Sequence, residues 1–175
     1  MATSVVYASI FAAVMASLPG LSTRLICFDT SIVDLTEQLK DPVEVLFGVQ
    51  LGGGTDINSA LAYCEQQIDH PAKTHLILIS DLFEGGDAKS MLTRVASLKQ
   101  SGVNVVVLLA LSDSGQPGYH AQNAQQIASL DCPVFACTPD QFPPLMAAAL
   151  TNQDLHQWAA TQDIALIRGD ASPSF

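Results

Sequence analysis

The sequence predicts an α/β fold: a doubly wound (Rossmann-like), mostly parallel sheet with helices on both faces. Three observations carry that prediction. Thr74–Ser80 (THLILIS) and Asn104–Leu111 (NVVVLLAL) are near-continuous apolar runs of strand length, the pattern of strands buried on both faces. Segments with apolar residues at helical spacing alternate with such runs, the order that builds a parallel sheet through helical crossovers. The composition, 49% hydrophobic against 14% charged over 175 residues, excludes disorder and supplies one sizeable core.

Taken from the start, Val5–Leu18 (VVYASIFAAVMASL) reads as a buried helix capped by Thr3 or Ser4. It is too short to span a bilayer. A secretory leader opens on positive charge, and the first basic residue here is Arg24. Arg24–Phe28 (RLICF) is a strand, Asp29–Ser31 a turn and Ile32–Leu35 a short hairpin partner. Pro42–Val49 reads as a short helix entered at its proline. Asn58–Ile68 is a helix with Ile57, Leu61, Cys64 and Ile68 on one face, ended by His70-Pro71. Thr74–Ser80 is then a central parallel strand. Ala88–Gln100 is an amphipathic helix with Met91, Leu92, Val95 and Leu98 inward and Gly102 as its stop. After the strand Asn104–Leu111 come a helix (Ala121–Leu130), a short strand (Pro133–Ala136) and a helix (Phe142–Leu150). Residues 1–150 thus form the domain, and residues 151–175 a C-terminal helical appendage and tail. Within that tail, Asp154–Thr161 is a further helix whose Trp158 packs with Leu155, and Ala171–Phe175 is a frayed end.

Charge narrows the function classes. Seven Lys+Arg against 17 Asp+Glu give a net charge of −10, which disfavours nucleic acid and anionic membrane surfaces and suits cations or basic partner surfaces. Cys27, Cys64, Cys132 and Cys137 form no CxxC, so they read as reduced thiols of a cytoplasmic protein. His70, His75, His120 and His156 are scattered and offer no zinc-ligand spacing beside them.

One stretch carries chemistry. Leu51–Asn58 (LGGGTDIN) places Gly52, Gly53 and Gly54, which permit positive φ and close approach, ahead of Thr55 and Asp56. The strand Thr74–Ser80 ends at Asp81, and ligands of open α/β sheets bind outside the carboxyl ends of the strands. A hydroxyl and a carboxylate at one such edge are the donors a small hard cation uses. Taken singly, the glycines are a turn, Asp56 an N-cap and Asp81 a solvated loop acid. Asp29 reads chiefly as a turn residue at the same edge, and Asp56, Asp29 and Glu84 are candidates for supporting oxygens behind a cation.

Together these residues resemble a known family. GGGTDINSAL followed by a strand ending ISDLFEGG looks like the von Willebrand factor A (VWA) domain, closest to its bacterial CoxE-like branch. RLICFDTSIVDLT is similar to that family's second and third strands, and the resemblance runs from Met1 to about Leu150. The resemblance implies a metal-ion-dependent adhesion site built from Asp-x-Ser-x-Ser after the first strand, a Thr in a GGT-like loop and an Asp after the fourth strand. Thr55 matches the second part and Asp81 the third. The first part and the strand before it are missing, and the chain opens where they should end. The expectation is a fragment: a start codon assigned at an internal Met, or a longer protein cut there.

Two consequences follow. Thr55 and Asp81 are too few oxygens for tight Mg²⁺ (or Mn²⁺ or Ca²⁺) binding, so cation affinity is expected to be weak or absent in this form. Without the first strand, two neighbouring strands lose a ladder partner, at ~1–3 kcal/mol per buried unpaired group against a total stability of ~5–15 kcal/mol. By resemblance the chain is a non-enzymatic binding or adaptor module. Its partner presents an acidic residue to the metal, and a MoxR-type AAA+ ATPase works beside it in a chaperone-like or metal-centre maturation role. Two alternatives stay open: a metal-free structural scaffold, and a small Mg²⁺-dependent hydrolase-like α/β enzyme using Asp81. Against the enzyme, the sequence holds no GxxxxGK[ST], GxGxxG or GxSxG.

Overall fold

The structure, a computed structural model, describes residues 10, 12–41, 54–110, 118–151 and 153–169. The first strand pair is a hairpin of β1 (Ile26–Phe28) and β2 (Ile32–Asp34), antiparallel with Cys27 opposite Val33. The rest runs α1 (Ile57–Gln66), β3 (His75–Ser80), α2 (Ala88–Gln100), β4 (Asn104–Ala110), α3 (Ala121–Ser129), β5 (Val134–Cys137), α4 (Phe142–Leu150), α5 (Leu155–Gln162) and β6 (Ala165–Leu166). Strands β3, β4 and β5 are parallel, and β6 closes the sheet antiparallel to β5. The alternation of strands and helices read from the sequence is therefore the observed architecture.

β4 shows why both faces need helices. Val105, Val107 and Leu109 point into a core shared with Ile57 and Leu61 of α1, Met91 and Val95 of α2, and Ile127 of α3. Val106 and Leu108 point into a second core with Phe142 and Leu145 of α4 and Ala159 of α5. A strand whose successive side chains all meet apolar partners has no polar face to show, hence its near-continuous apolar run.

Local chemistry sets the helix ends. The side chains of Asp56, Asp87 and Asp154 accept backbone N–H groups at the starts of α1, α2 and α5, the orphan donors of a helix's first turn. Gly102, at φ +100°, ends α2 in a conformation that an L side chain resists.

Several expectations change. The segment after residue 150, read as an appendage, contributes α5 to the second core and then β6 to the sheet edge, where Leu166 lies opposite Phe135. β6 is two residues long, too short to produce a periodic signal. The helix expected over 5–18 is seen at residues 12–16. Ala12, Ala13 and Met15 are buried, but Ile10, Val14 and Leu18 are exposed, so its apolar character does not translate into full burial. The strand expected to be central, β3, has a ladder partner on one side only among the described residues. Pro42–Val49, Gly52, Gly53 and Ala171–Phe175 lie outside the described residues. Among the described residues, no helix is long and apolar enough to cross a membrane.

Candidate functional site

The loops after β1 and β3 and the start of α1 meet at one edge of the molecule. The Asp56 N–H donates to the Asp29 carbonyl at 2.8 Å, and the Gly85 N–H donates to the Thr55 carbonyl at 2.7 Å. A side chain at Gly85 could not be accommodated, since its Cβ would stand 2.8 Å from the Thr55 carbonyl oxygen. Thr55, Asp56, Asp29, Asp81 and Glu84 are thereby gathered on neighbouring loops, each partly buried. A Cβ at Gly54, the described member of the glycine run, would stand 3.6 Å from the Thr30 methyl, an ordinary contact.

Hydrogen bonds separate the acids by role. Asp56 uses both carboxylate oxygens on α1, accepting the Ser59 N–H at 2.8 Å and the Ser59 hydroxyl at 2.7 Å. Glu84 also serves that helix: its Oε2 accepts the N–H groups of Ile57 (2.7 Å) and Asn58 (3.3 Å), while its Oε1 accepts that of Gly86. Two negative side chains at the first turn of α1 complement the positive end of the helix dipole. Asp29 accepts the Ser31 N–H at 2.6 Å, tightening the β1–β2 turn. Asp81 accepts the Phe83 N–H at 3.2 Å. An ionised carboxylate has about four acceptor positions, so this bond leaves Asp81 capacity for a ligand.

The loop after Asp81 is held in a conformation that the sequence does not announce. Leu82 lies at φ +60°, a costly region for a branched side chain. Three contacts over-determine it. Leu82 is fully buried, its N–H donates to the Ser80 hydroxyl at 3.1 Å, and its carbonyl accepts from the buried Asn123 amide at 3.0 Å. The His120 N–H donates to the Asp81 carbonyl at 2.8 Å, tying the start of α3 to the same edge. Phe83 is left 50% exposed, with its ring edge-on to His120 at 5.6 Å. Sequence reasoning missed Leu82, Phe83, His120 and Asn123. One signal was available: Asn123 is a polar residue on the apolar face that Ala124 and Ile127 define.

The described residues at this edge do not by themselves make a complete metal site. Magnesium demands near-octahedral oxygen coordination. Among the described residues, no group of three or more His, Cys, Asp or Glu side chains is placed to hold a metal ion. The edge offers Thr55 and Asp81, while the carboxylates of Asp56 and Glu84 accept from donors of the first turn of α1. The four cysteines are free thiols, and none lies at this edge. Burial pushes Cys27 and Cys64 up to about 11 and Cys137 up to about 12, which leaves them protonated and unreactive at neutral pH.

Comparison with known proteins gives the family and the fold. Residues 1–146 match the family described as VWA domain containing CoxE-like protein. The chain is 42% identical over 152 residues to YehP of Escherichia coli (strain K12), a protein described as uncharacterized. That match covers 87% of this chain and 40% of YehP, so the chain spans well under half of that relative's length. In fold it is similar to a crystal structure of manganese-loaded Plasmodium vivax TRAP protein, with a TM-score of 0.54 at 17% identity. That likeness covers 73% of this chain and 54% of the other.

Proposed function

The chain belongs to the VWA domain containing CoxE-like protein family, and from that premise we propose that it is a non-enzymatic, protein-binding adaptor module. Its binding surface is the edge where Thr55, Asp81, Phe83 and His120 meet. The observation that carries this reading is the close approach of the two loops, joined by the Gly85–Thr55 bond at 2.7 Å. That bond sets the Thr55 backbone beside the loop that carries Asp81 and the half-exposed Phe83, which supports the reading. Aromatic side chains at such positions are frequent anchors of protein contacts. The partner presents an acidic residue to a cation held at this edge. A MoxR-type AAA+ ATPase is the partner class we propose, in a chaperone-like or metal-centre maturation role.

A cation, Mg²⁺ or Mn²⁺, belongs to this reading only where oxygen donors beyond Thr55 and Asp81 complete the site. For the chain as it stands, the expected affinity is weak. A thermal melt with EDTA, Mg²⁺ or Mn²⁺ tests this, because a ligand that binds only the folded state raises stability by RT ln(1 + [L]/Kd). An upward shift with millimolar ion that Asp81→Ala removes supports a cation at this edge. A pull-down of the acidic partner with and without chelator, repeated with Thr55→Ala, tests the adaptor role. Capture that neither chelator nor substitution alters removes this edge from the function.

A second reading, a metal-free scaffold, is favoured by the commitment of Asp56 and Glu84 to the start of α1. It predicts a cooperative melt that no divalent ion moves.

A further inference from the structure

We propose that a second site, at the opposite edge of the sheet from Thr55 and Asp81, binds a small organic monocarboxylate through Arg168. The proposal stands apart from the adaptor reading, because it uses other residues and another edge.

β6 runs antiparallel to β5, so the residues after β6 return to the end where β5 begins. There a cavity of about 380 Å³ opens between the end of α3, the start of α5 and the segment after β6. Its volume lies in the range of small-ligand sites. Ala128, Leu166 and Ile167 supply apolar lining, and the buried Cys132 adds to it. Arg168 and His156, both open to solvent, supply polar donors. Among the described residues, neither the Arg168 guanidinium nor the His156 imidazole has a hydrogen bond or an ion pair.

Two contacts set where Arg168 stands. On one side of it in sequence, the Ile167 N–H donates to the Val134 carbonyl at 2.9 Å. On the other, Gly169 packs directly on Ser129: a Cβ there would stand 2.6 Å from the Ser129 hydroxyl oxygen and 2.7 Å from its backbone nitrogen. With both neighbours anchored, the backbone that carries the guanidinium is in place before a ligand arrives, so binding orders less of the chain.

Charge selects the ligand. The chain carries a net charge of −10, yet this cavity is lined by one carboxylate, that of Asp131. Lys99 answers it: its Nζ lies 3.3 Å from the Asp131 carboxylate and donates to the Asp131 carbonyl at 2.6 Å. Arg168 is left in excess. A guanidinium presents a planar fork that grips a carboxylate through two parallel bonds. The His156 imidazole carries an N–H donor even when neutral. The carbonyl end of α3 and the Asp131 carboxylate oppose a second negative charge, which disfavours phosphate. The apolar lining calls for an apolar body behind the carboxylate.

The test is a ¹H–¹⁵N NMR titration of the 175-residue chain with hexanoate, set against hexanol and inorganic phosphate. Hexanoate should bind saturably with a Kd on the order of 1 mM, the scale set by about eight non-hydrogen atoms. The amides of Ala128, Cys132, Ile167 and Gly169 should shift. Those of Leu61, Cys64 and Leu76, which line a larger cleft of about 690 Å³ between β1 and β3, should not. Arg168→Gln should weaken binding at least about tenfold, and Lys89→Gln, at the start of α2, should leave it unchanged. Hexanol and phosphate should each bind at least about tenfold more weakly than hexanoate. The proposal is overturned by the absence of a saturable shift up to about 50 mM hexanoate, or by shifts centred on the larger cleft. Affinity that survives Arg168→Gln, or hexanol or phosphate binding as tightly as hexanoate, overturns it equally.

Discussion

The two edges of β3 make an instructive contrast. On one, every residue from His75 to Ser80 faces a residue of β4, from Asn104 to Leu109, in a parallel ladder. On the other, it has no ladder partner among the described residues, and the described strand across the cleft, β1, belongs to a separate two-stranded hairpin. The side chains record the difference. Val107, Leu108 and Leu109 of β4 are fully buried, whereas Leu76, Ile77 and Ile79 of the equally apolar β3 are only partly so. An apolar run thus reports what a strand is built to contact. Whether the contact is made depends on which neighbours are present.

Core truncations test this contrast with the largest effects. Leu109→Ala should cost about 2–5 kcal/mol in urea unfolding, because it opens a cavity in a close-packed core. Leu76→Ala should cost clearly less, since its side chain is only partly buried. Equal losses at the two positions would mean that Leu76 is as tightly packed as Leu109.

Alkaline unfolding should show the next largest effect. Cys27, Cys64 and Cys137 have thiols raised by burial from 9.0 to about 11, about 11 and about 12. Their folded-state values exceed the unfolded one, so their contribution to stability is intact below pH 9 and is lost as pH rises toward 11 to 12. The loss is on the order of 1 kcal/mol per thiol at pH 10. Native-state thiol labelling sharpens the comparison: Cys64 and Cys27, beside the cleft, should react before Cys137, which is sealed in the second core.

Asp56→Ala should cost about 1 kcal/mol by removing both bonds at the start of α1, and Asp56→Asn should restore part of it. Thr55→Ala should move stability by less than about 0.5 kcal/mol, as expected of a partly exposed position whose use is binding. A larger loss would give Thr55 a structural role in joining the two loops.

Much of this was legible beforehand. The strand–helix alternation, the helices covering both faces and the resemblance carried by GGGTDINSAL and ISDLFEGG all rest on local pattern. The juxtaposition of Thr55 with the loop after Asp81 was also readable, because parallel strands bring their carboxyl ends to one edge. The roles of Asp56 and Glu84 were not equally readable. The Asp56 cap is a contact across three residues and has a sequence signature, while the Glu84 contact with the Ile57 N–H spans 27 residues and has none. Leu82 at positive φ and its Asn123 partner, 41 residues away, are hidden for the same reason. β6 escaped because it is held by its pairing with β5 and not by its own composition.

The sequence by itself determined which segments are strands and helices, that the sheet is covered on both faces, and which family the chain joins. Periodicity and local capping act over a few residues, and one chain suffices to read them. Only the tertiary structure decided that β3, among the described residues, pairs on one side, that residues beyond 150 extend the sheet, and that two acidic side chains serve the start of α1. Those outcomes depend on backbone groups finding partners far along the chain, and a hydrogen bond satisfied at a distance leaves no mark on the residues beside it.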